Sequence, residues 1–267
     1  MKNLVVILVL GCACGLAVPR LAVGGWTPPV SMGSGINTGD TEMSPFRDGN
    51  RLYLSSRRSG GAGGNDIWYT DWDGTSWGPV QNLTSLNTVY NERFPFVDHS
   101  GSQPLMFLSY DNHPDNLGTG SDIYVSTWDG SGWSAPVNVG SPINESSYNE
   151  TAATLSADGN TIFFTSDRPI PPNPLGNENL WMATWNGSSW NSPTPITDLN
   201  TQFRERHASL LPDGSVMYFS SLRPFGTGSF DLYQTTFDGS SWSEPEELTL
   251  LNTTAWEISP CVTSDSS

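Results

Sequence analysis

The sequence predicts an all-β protein, a β-propeller of antiparallel four-stranded blades, and three markers recurring along its 267 residues support this prediction. Tryptophan, glutamate and asparagine each return every 50 to 58 residues. The tryptophans are Trp26, Trp77, Trp133, Trp190 and Trp242; the glutamates are Glu42, Glu92, Glu150, Glu205 and Glu257; the asparagines are Asn37, Asn87, Asn144, Asn200 and Asn252. A shared period of about 54 residues fits one propeller blade.

Four strands can be assigned within each repeat. The first follows the glutamate, as in RFPFV at 93–97, and the second is aromatic, as in IFFTS at 162–166. The third begins at an Asp-Ile-Tyr type of sequence, as at 122–124. The fourth starts at the last tryptophan of a hexapeptide such as WDGSGW at 128–133, whose Asp-Gly pair is typical of a tight hairpin. Proline soon follows, which suits an outer edge strand.

Counting the repeats predicts a five-bladed propeller with an incomplete fifth blade. The complete repeats cover about 39–87, 88–144, 145–200 and 201–252. The fifth is shared between the termini, with a first strand in 253–267 and a last strand in 25–38. Its middle pair of strands is missing, so the chain is either a truncated five-bladed ring or a ring whose fifth sheet is incomplete.

The first 24 residues are predicted to be a signal peptide, since Lys2 precedes the apolar stretch 4–18. Cleavage after Ala17 or Gly24 is compatible with the sequence, and lipidation at Cys12 is an alternative. Residues 25–267 then form a single propeller domain without a transmembrane segment, which is exported to the periplasm or the exterior, or lipid-anchored. That domain keeps only Cys261, so no intrachain disulfide is expected.

The charge balance excludes several partners and reactions. The chain has 11 Lys and Arg residues against 27 Asp and Glu residues, a formal net charge of −16. Its single lysine is Lys2, so catalysis by a lysine of the mature domain is excluded. Nucleic acid and anionic membrane surfaces are not expected as partners because the chain would repel polyanions.

The repeat motif resembles the WD-repeat-like propeller family seen in TolB and in many exported bacterial proteins. Repeat 1 carries it at Glu42, Pro45, Ser55, Ser56, Arg58, Gly64, Asp66, Ile67, Trp68 and Trp77, and repeat 4 at Glu205, Asp213, Gly214, Ser220, Ser221, Arg223, Asp231, Leu232, Tyr233 and Trp242. Repeat 2 departs from it with Asn112 in place of the arginine, and repeat 3 with Asn179 in place of the aspartate. The resemblance implies an exported propeller that commonly serves as a binding or scaffold module without catalysis.

The candidate binding residues are the five repeated glutamates and His207. Because residues two apart on a strand share one face, the glutamates are expected to form an acidic ring at one mouth of the central channel, with His207 beside Glu205. The alternative is structural, with each glutamate paired to a repeat arginine or capping backbone N–H groups. Structural roles are assigned to Arg58, Arg168, Arg223, Asp66, Asp122, Asp231, Trp77, Trp133, Trp190 and Trp242.

The function expected from the sequence is a non-enzymatic scaffold that binds a protein or a polysaccharide such as peptidoglycan. The long loops 111–121 and 168–178 interrupt the repeat and are the expected partner surface. The alternative is a glycoside hydrolase that uses the inner-strand carboxylates of Glu92, Glu150 and Glu205. Neither a metal nor a cofactor is expected.

Overall fold

In the computed structural model, residues 26–170 and 178–263 are described, together with the backbone of Ile7–Val9. These residues form four four-stranded antiparallel sheets and one two-stranded sheet. The strands are β1 Ile7–Val9, β2 Glu42–Asp48, β3 Arg51–Ser56, β4 Asp66–Asp71, β5 Gln81–Asn82, β6 Asn91–Asp98, β7 Leu105–Asp111, β8 Ser121–Thr127, β9 Val137–Asn138, β10 Glu150–Leu155, β11 Thr161–Ser166, β12 Asn179–Thr184, β13 Thr194–Pro195, β14 Glu205–Leu210, β15 Val216–Ser221, β16 Asp231–Thr236, β17 Glu246–Glu247 and β18 Cys261–Thr263.

Each four-stranded sheet is a propeller blade whose strands follow chain order from the channel outward. Blade 1 is β2 to β5, blade 2 is β6 to β9, blade 3 is β10 to β13 and blade 4 is β14 to β17. The predicted all-β class and the four complete four-stranded repeats are therefore confirmed. The outermost strands contain only two residues each, which limits the unpaired backbone that a blade edge presents.

The prediction of five blades is wrong, because the described residues form only four. The segment after Glu257 supplies the three-residue strand β18, which pairs in parallel with β1. Residues 26–41, expected to supply an outer strand, contain no strand, although the Trp26 ring packs edge-on against Tyr218 of blade 4 with 5.8 Å between ring centroids. Five inner-strand markers recur, but a blade also requires partner strands, and β18 has one short partner.

β18 bridges blade 4 and blade 1. The Val262 N–H donates to Ser209 Oγ of β14, and the Arg47 N–H of β2 donates to Cys261 Sγ, both at 3.3 Å. Cys261 is buried, and no disulfide joins two of the described residues. Hydrogen bonds to side chains thus connect β18 to β14 and β2. The strands of a complete blade are instead joined by backbone hydrogen bonds within one sheet.

The core lies between successive blades. Phe107 and Ile123 of blade 2, for example, pack with Phe164 and Trp181 of blade 3, and all four are buried. Burial of each such side chain stabilises the fold by about 1.5–3 kcal/mol. Similar clusters lie between blades 1 and 2 and between blades 3 and 4, so much of the apolar stabilisation comes from contacts between neighbouring sheets.

The hairpin hexapeptide forms the outer corner of every blade. Its glycine adopts a positive φ of 97° to 101°, as the turn prediction requires. Its two end residues pair across an isolated bridge, as Trp72 and Trp77 do in blade 1. In the part of the chain that the structure describes, no helix is long and apolar enough to cross a membrane.

Candidate functional site

A β-bulge in each inner strand determines which side chains face the channel. Pairing with the second strand shifts register two to four residues after the repeat glutamate, as between Arg206 and Ser209. At this place the backbone has a positive φ of 51° to 58°, in Ser44, Phe94, Ala152, His207 and Ser259. Ser44, Phe94, Ala152 and His207 lie in the bulges of the four inner strands, and Ser259 has the same backbone conformation ahead of β18; we call these five the bulge residues. Because a bulge interrupts the two-residue alternation of a strand, His207 does not share the surroundings of Glu205.

One end of the channel opens into a cavity of about 720 Å³, which we call the mouth cavity. Five equivalent side chains, each directly following a repeat glutamate, contribute to its wall: Met43, Arg93, Thr151, Arg206 and Ile258. The bulge residues Phe94, His207 and Ser259 lie deeper in it. Further lining side chains come from the adjoining loops and strand ends: Ser121, Asn149, Thr165, Asp167, Glu178, Thr254, Ala255 and Trp256.

The channel narrows below these bulge residues. A small space of about 40 Å³ lies at the level of Phe94, His207 and Ser259, and a second cavity of about 540 Å³ lies towards the opposite end. The rings of Phe94 and His207 meet across the axis, tilted by 35° with centroids 4.6 Å apart. This ring pair forms the floor of the mouth cavity.

Two arginines with acidic partners stand in the wall of the mouth cavity. Arg93 approaches Asp111 at 2.5 Å, and Arg206 Nη1 donates to Glu178 Oε2 at 3.2 Å. The Arg206 guanidinium also lies 3.7 Å from the centroid of the Phe230 ring. Burial lowers the pKa of Arg206 from its ordinary value, while the Glu178 carboxylate opposes that shift. Each arginine is thus held by one carboxylate and is only partly solvated.

His207 is buried and neutral. Burial, and then the positive charges of Arg206 and Arg93, lower its pKa well below the ordinary value. Its Nδ1 lies 3.2 Å from Ser259 Oγ, and its backbone N–H donates to Thr165 Oγ1 at 3.0 Å. The side chain therefore offers the cavity floor an uncharged imidazole.

Aromatic side chains form one rim of the mouth cavity. Trp256 is 52% exposed and meets the Phe230 ring edge-on, with 5.8 Å between centroids. Arg206, Phe230 and Trp256 therefore form a row that runs from the wall to the solvent-facing rim.

The five repeat glutamates are buried and are not among the residues that line the mouth cavity. In blades 1, 3 and 4 the carboxylate accepts a serine hydroxyl from the second strand, as Glu205 does from Ser221 at 2.8 Å. It also lies 3.4 to 3.9 Å from the repeat arginine, which is Arg58, Arg168 or Arg223. A threonine four residues earlier donates to Glu42, Glu92, Glu205 and Glu257. Their proposed part in ligand binding stays a prediction.

Blade 2 uses a different arrangement around Glu92. Asn112 stands where the other complete blades carry arginine, and the Tyr110 hydroxyl donates to the carbonyl of Leu86. In blade 4 the equivalent carbonyl, that of Leu199, accepts from Arg223. Glu92 Oε2 has no hydrogen-bond partner among the described residues. Burial raises the pKa of Glu92 to about 7, and it does the same for Glu150 despite the nearby Arg168.

The other predicted repeat residues lie away from the cavity. Asp66 accepts the Ala62 N–H, Asp122 the Leu117 N–H and Asp231 the Gly228 N–H, which fixes the loop before the third strand. The hexapeptide tryptophans pack against the clusters between blades: Trp77, Trp133, Trp190 and Trp242. Within the described residues, no group of three or more His, Cys, Asp or Glu side chains is arranged to hold a metal ion.

Sequence reasoning missed Arg93, Arg206, Glu178 and Trp256. A usable signal was present, because the position after the repeat glutamate varies from blade to blade while the glutamate does not. The two interrupting loops contribute at their last residues, Ser121 and Glu178, and Asp167 directly precedes the second loop. Residues 171–177 of the second loop lie outside the described part of the chain.

Comparisons with known proteins show the fold. No protein-family model and no curated protein matches the chain. Among solved structures, a thermostable family-43 glycoside hydrolase matches with a TM-score of 0.52 at 11% identity. The match covers 75% of this chain and 70% of the hydrolase chain. An α-L-arabinofuranosidase from Lactobacillus brevis matches with 0.52 at 11% identity, over 76% and 72%. A protein of Agrobacterium tumefaciens described as TolB matches with 0.45 at 17% identity over 75%, and this chain spans 61% of that protein.

Proposed function

We propose that this chain is an exported, non-enzymatic binding module that takes a segment of a glycan into the mouth cavity. The observation that carries the proposal is the mouth cavity itself, whose wall departs from the repeat in every blade. Its volume of about 720 Å³ lies within the range of small-molecule sites, about 300–1,000 Å³. Residues that vary between equivalent positions on a regular scaffold are free to serve a ligand.

The lining chemistry favours a sugar over an apolar ligand. Trp256 presents half of its surface at the rim, where an aromatic ring provides a flat apolar platform with little conformational entropy to lose. Asn149, Thr151 and Thr165 add amide and hydroxyl groups to the wall. An aromatic platform beside polar donors and acceptors matches a pyranose ring, which has C–H faces and a hydroxylated edge.

Export is part of the proposal and rests on the sequence. The predicted signal peptide 1–24 lies outside the described residues, except for the backbone of Ile7–Val9, which is β1, so cleavage after Ala17 or Gly24 removes the partner strand of β18. We place the module in the periplasm or outside the cell, in contact with envelope or environmental polysaccharide. A protein partner at loops 111–121 and 168–178 is the alternative occupant.

A glycoside hydrolase is the second candidate, because two carboxylates line the mouth cavity. Asp167, however, accepts two hydrogen bonds from Asn149, at 2.7 Å from the backbone N–H and 2.6 Å from the side chain. Glu178 is paired with Arg206. The inner-strand glutamates Glu92, Glu150 and Glu205 are fully buried. This burial and these contacts favour structural roles for all five carboxylates, so we favour binding over hydrolysis.

Retention on immobilised polysaccharides tests the proposal. The purified protein is passed over a panel of cell-wall and plant polysaccharides, and both retained protein and released sugar are measured. We expect retention on at least one of them without sugar release, and Trp256→Ala should weaken it about tenfold, as loss of an aromatic side chain that the ligand covers does. Trp185→Ala is the matched control, since Trp185 is 39% exposed in an outer hairpin.

Three outcomes would count against the proposal. Failure to bind any polysaccharide of the panel contradicts glycan binding. Equal weakening by Trp185→Ala and Trp256→Ala moves the contact away from the mouth cavity. Sugar release that disappears in Glu178→Gln establishes the hydrolase instead.

A further inference from the structure

The position after the repeat glutamate carries arginine in two blades and uncharged residues elsewhere. Arg93 of blade 2 and Arg206 of blade 4 both line the mouth cavity, where Met43, Thr151 and Ile258 hold the equivalent places. The protein has nine arginines after residue 24, so two at one variable ring position place positive charge where the rest of the chain is acidic. The pattern indicates recognition of a negative group.

Both guanidinium groups retain unused hydrogen-bonding capacity. Each has five N–H donors, and the acidic partners Asp111 and Glu178 engage one side of the fork. The Nε atoms of Arg93 and Arg206 are buried and have no hydrogen-bond partner among the described residues. A ligand would therefore meet the terminal N–H groups that Asp111 and Glu178 leave unpaired, and not these enclosed Nε atoms.

The electrostatic effects of the two arginines converge on the cavity. The charge of Arg93 contributes to the lowered pKa of Arg206, and both charges contribute to the lowered pKa of His207. The floor is therefore an uncharged imidazole beneath two cations, and the carboxylates of the same cavity are already engaged, Asp167 by Asn149 and Glu178 by Arg206. The net charge of −16 repels extended polyanions, so a single acidic group inside the cavity is favoured over a highly charged chain lying across the surface.

A carboxylate fits this arrangement best. The planar guanidinium matches the planar carboxylate, and such charge-assisted hydrogen bonds are about twice as strong as neutral ones. Phe230 and Trp256 continue the row from Arg206 to the rim, so a ligand carboxylate at the arginines leaves its ring beside the aromatic platform. We infer that the mouth cavity recognises a uronic acid, whose carboxylate pairs with Arg93 and Arg206 while its ring packs on Trp256. This inference rests on the proposed function and specifies its ligand class.

Isothermal titration calorimetry with three matched disaccharides tests the inference. The ligands are digalacturonic acid, its methyl ester and the neutral disaccharide of galactose, and sodium acetate is added to test the carboxylate alone. We expect the acid to bind about tenfold more tightly than the ester, a difference of about 1.4 kcal/mol. The preference should shrink at high salt, and acetate alone should bind far more weakly than the sugar acid.

Variants assign the preference to the arginines. Arg93→Gln should remove most of the preference for acid over ester, while Trp256→Ala should weaken both ligands equally. Arg51→Gln is the control, because Arg51 forms a bidentate pair with Asp71 on the exposed face of blade 1. Arg206→Gln tests the same preference a second time, provided that the melting temperature of this variant stays close to that of the wild type.

The failures of the two proposals are distinguishable. Equal affinity for acid and ester overturns uronic-acid recognition and leaves glycan binding intact. Binding of acetate as tightly as the disaccharide acid overturns the sugar part of the inference. Absence of binding by all three disaccharides overturns the inference, and absence of retention on the whole polysaccharide panel removes the proposed function with it.

Discussion

The repeat glutamates show how one residue type is accommodated in different surroundings. Glu150 pairs with Arg168 at 3.4 Å, accepts the Ser166 hydroxyl at 2.9 Å and accepts the Glu145 N–H at 3.1 Å. Glu92 has no arginine and keeps one oxygen without a partner among the described residues. Burial raises the pKa of both to about 7, so the arginine does not fully offset the loss of solvation.

Removing Glu150 should therefore cost more than neutralising Glu92. Glu150→Ala leaves the buried Arg168 guanidinium without its nearest carboxylate, and we expect a loss of about 3–5 kcal/mol in the free energy of unfolding. Glu92→Gln keeps the size of the side chain and removes a poorly solvated charge, so its cost should be about 1 kcal/mol or less. Urea denaturation measures both, and equal losses would contradict this account of blade 2.

At the scale of the strand, the bulge is the feature that sequence patterns did not reveal. Two-residue alternation predicted that Glu205 and His207 would share a face, but the register shift separates them. No residue type marks the bulge, since serine, phenylalanine, alanine and histidine all occupy it with a positive φ. The ladder on either side imposes this backbone, so the local sequence contains little information about it.

A glycine scan across one bulge tests this description. Ala152 has a φ of 55°, where an L-residue is strained by roughly 1 kcal/mol, so Ala152→Gly should raise or maintain the stability. Ala153→Gly, one residue further along the same strand, should lower it by about 1 kcal/mol. Urea unfolding gives both values. If Ala152→Gly proves the more damaging of the two, the alanine methyl group stabilises the bulge by more than its backbone strain costs.

Strands and blades differ in how well the sequence predicts them. The turn glycines, aromatic second strands and outer prolines are local signals, and the four complete repeats became four sheets. The fifth repeat had its glutamate and its bulge residue Ser259, yet Cys261–Thr263 pairs with three residues only. Blade number depends on pairing between distant segments, which a repeated marker within one strand does not encode. The mouth cavity was not predicted from the sequence either, because its wall is assembled from segments that are far apart in the chain.

For the whole molecule, the acidic composition and the buried carboxylates both make the free energy of unfolding decrease as the pH rises. Between about pH 4.5 and 7, folded Glu92 and Glu150 hold protons that the unfolded chain has released, because burial raises each pKa to about 7. These two groups therefore lower the free energy of unfolding as the pH rises through this window, and they outnumber His207, whose lowered pKa acts in the opposite sense below its ordinary value of 6.5. Self-repulsion within a chain of net charge −16 adds to the trend.

Melting temperatures measured from pH 5 to pH 8 check this expectation. We expect the highest melting temperature near pH 5 and a decline towards pH 8. The corresponding loss in the free energy of unfolding is on the order of 1–3 kcal/mol. Glu92→Gln should flatten the decline, since one titrating group is removed while the overall charge barely changes. A wild-type optimum near pH 8, or an unchanged slope in Glu92→Gln, would show that other groups govern the pH dependence.

The ring of bulge residues also bears on how such a protein can diversify. Ser44, Phe94, Ala152, His207 and Ser259 share one backbone conformation while their side chains range from methyl and hydroxymethyl groups to aromatic rings. Sheet pairing therefore does not select the side chain there, and a single codon change can alter the chemistry at the axis without rebuilding any blade. Together with the equally variable position that precedes it, each inner strand offers a two-residue cassette, and exchanging cassettes is a direct route to redirecting the ligand preference of this scaffold.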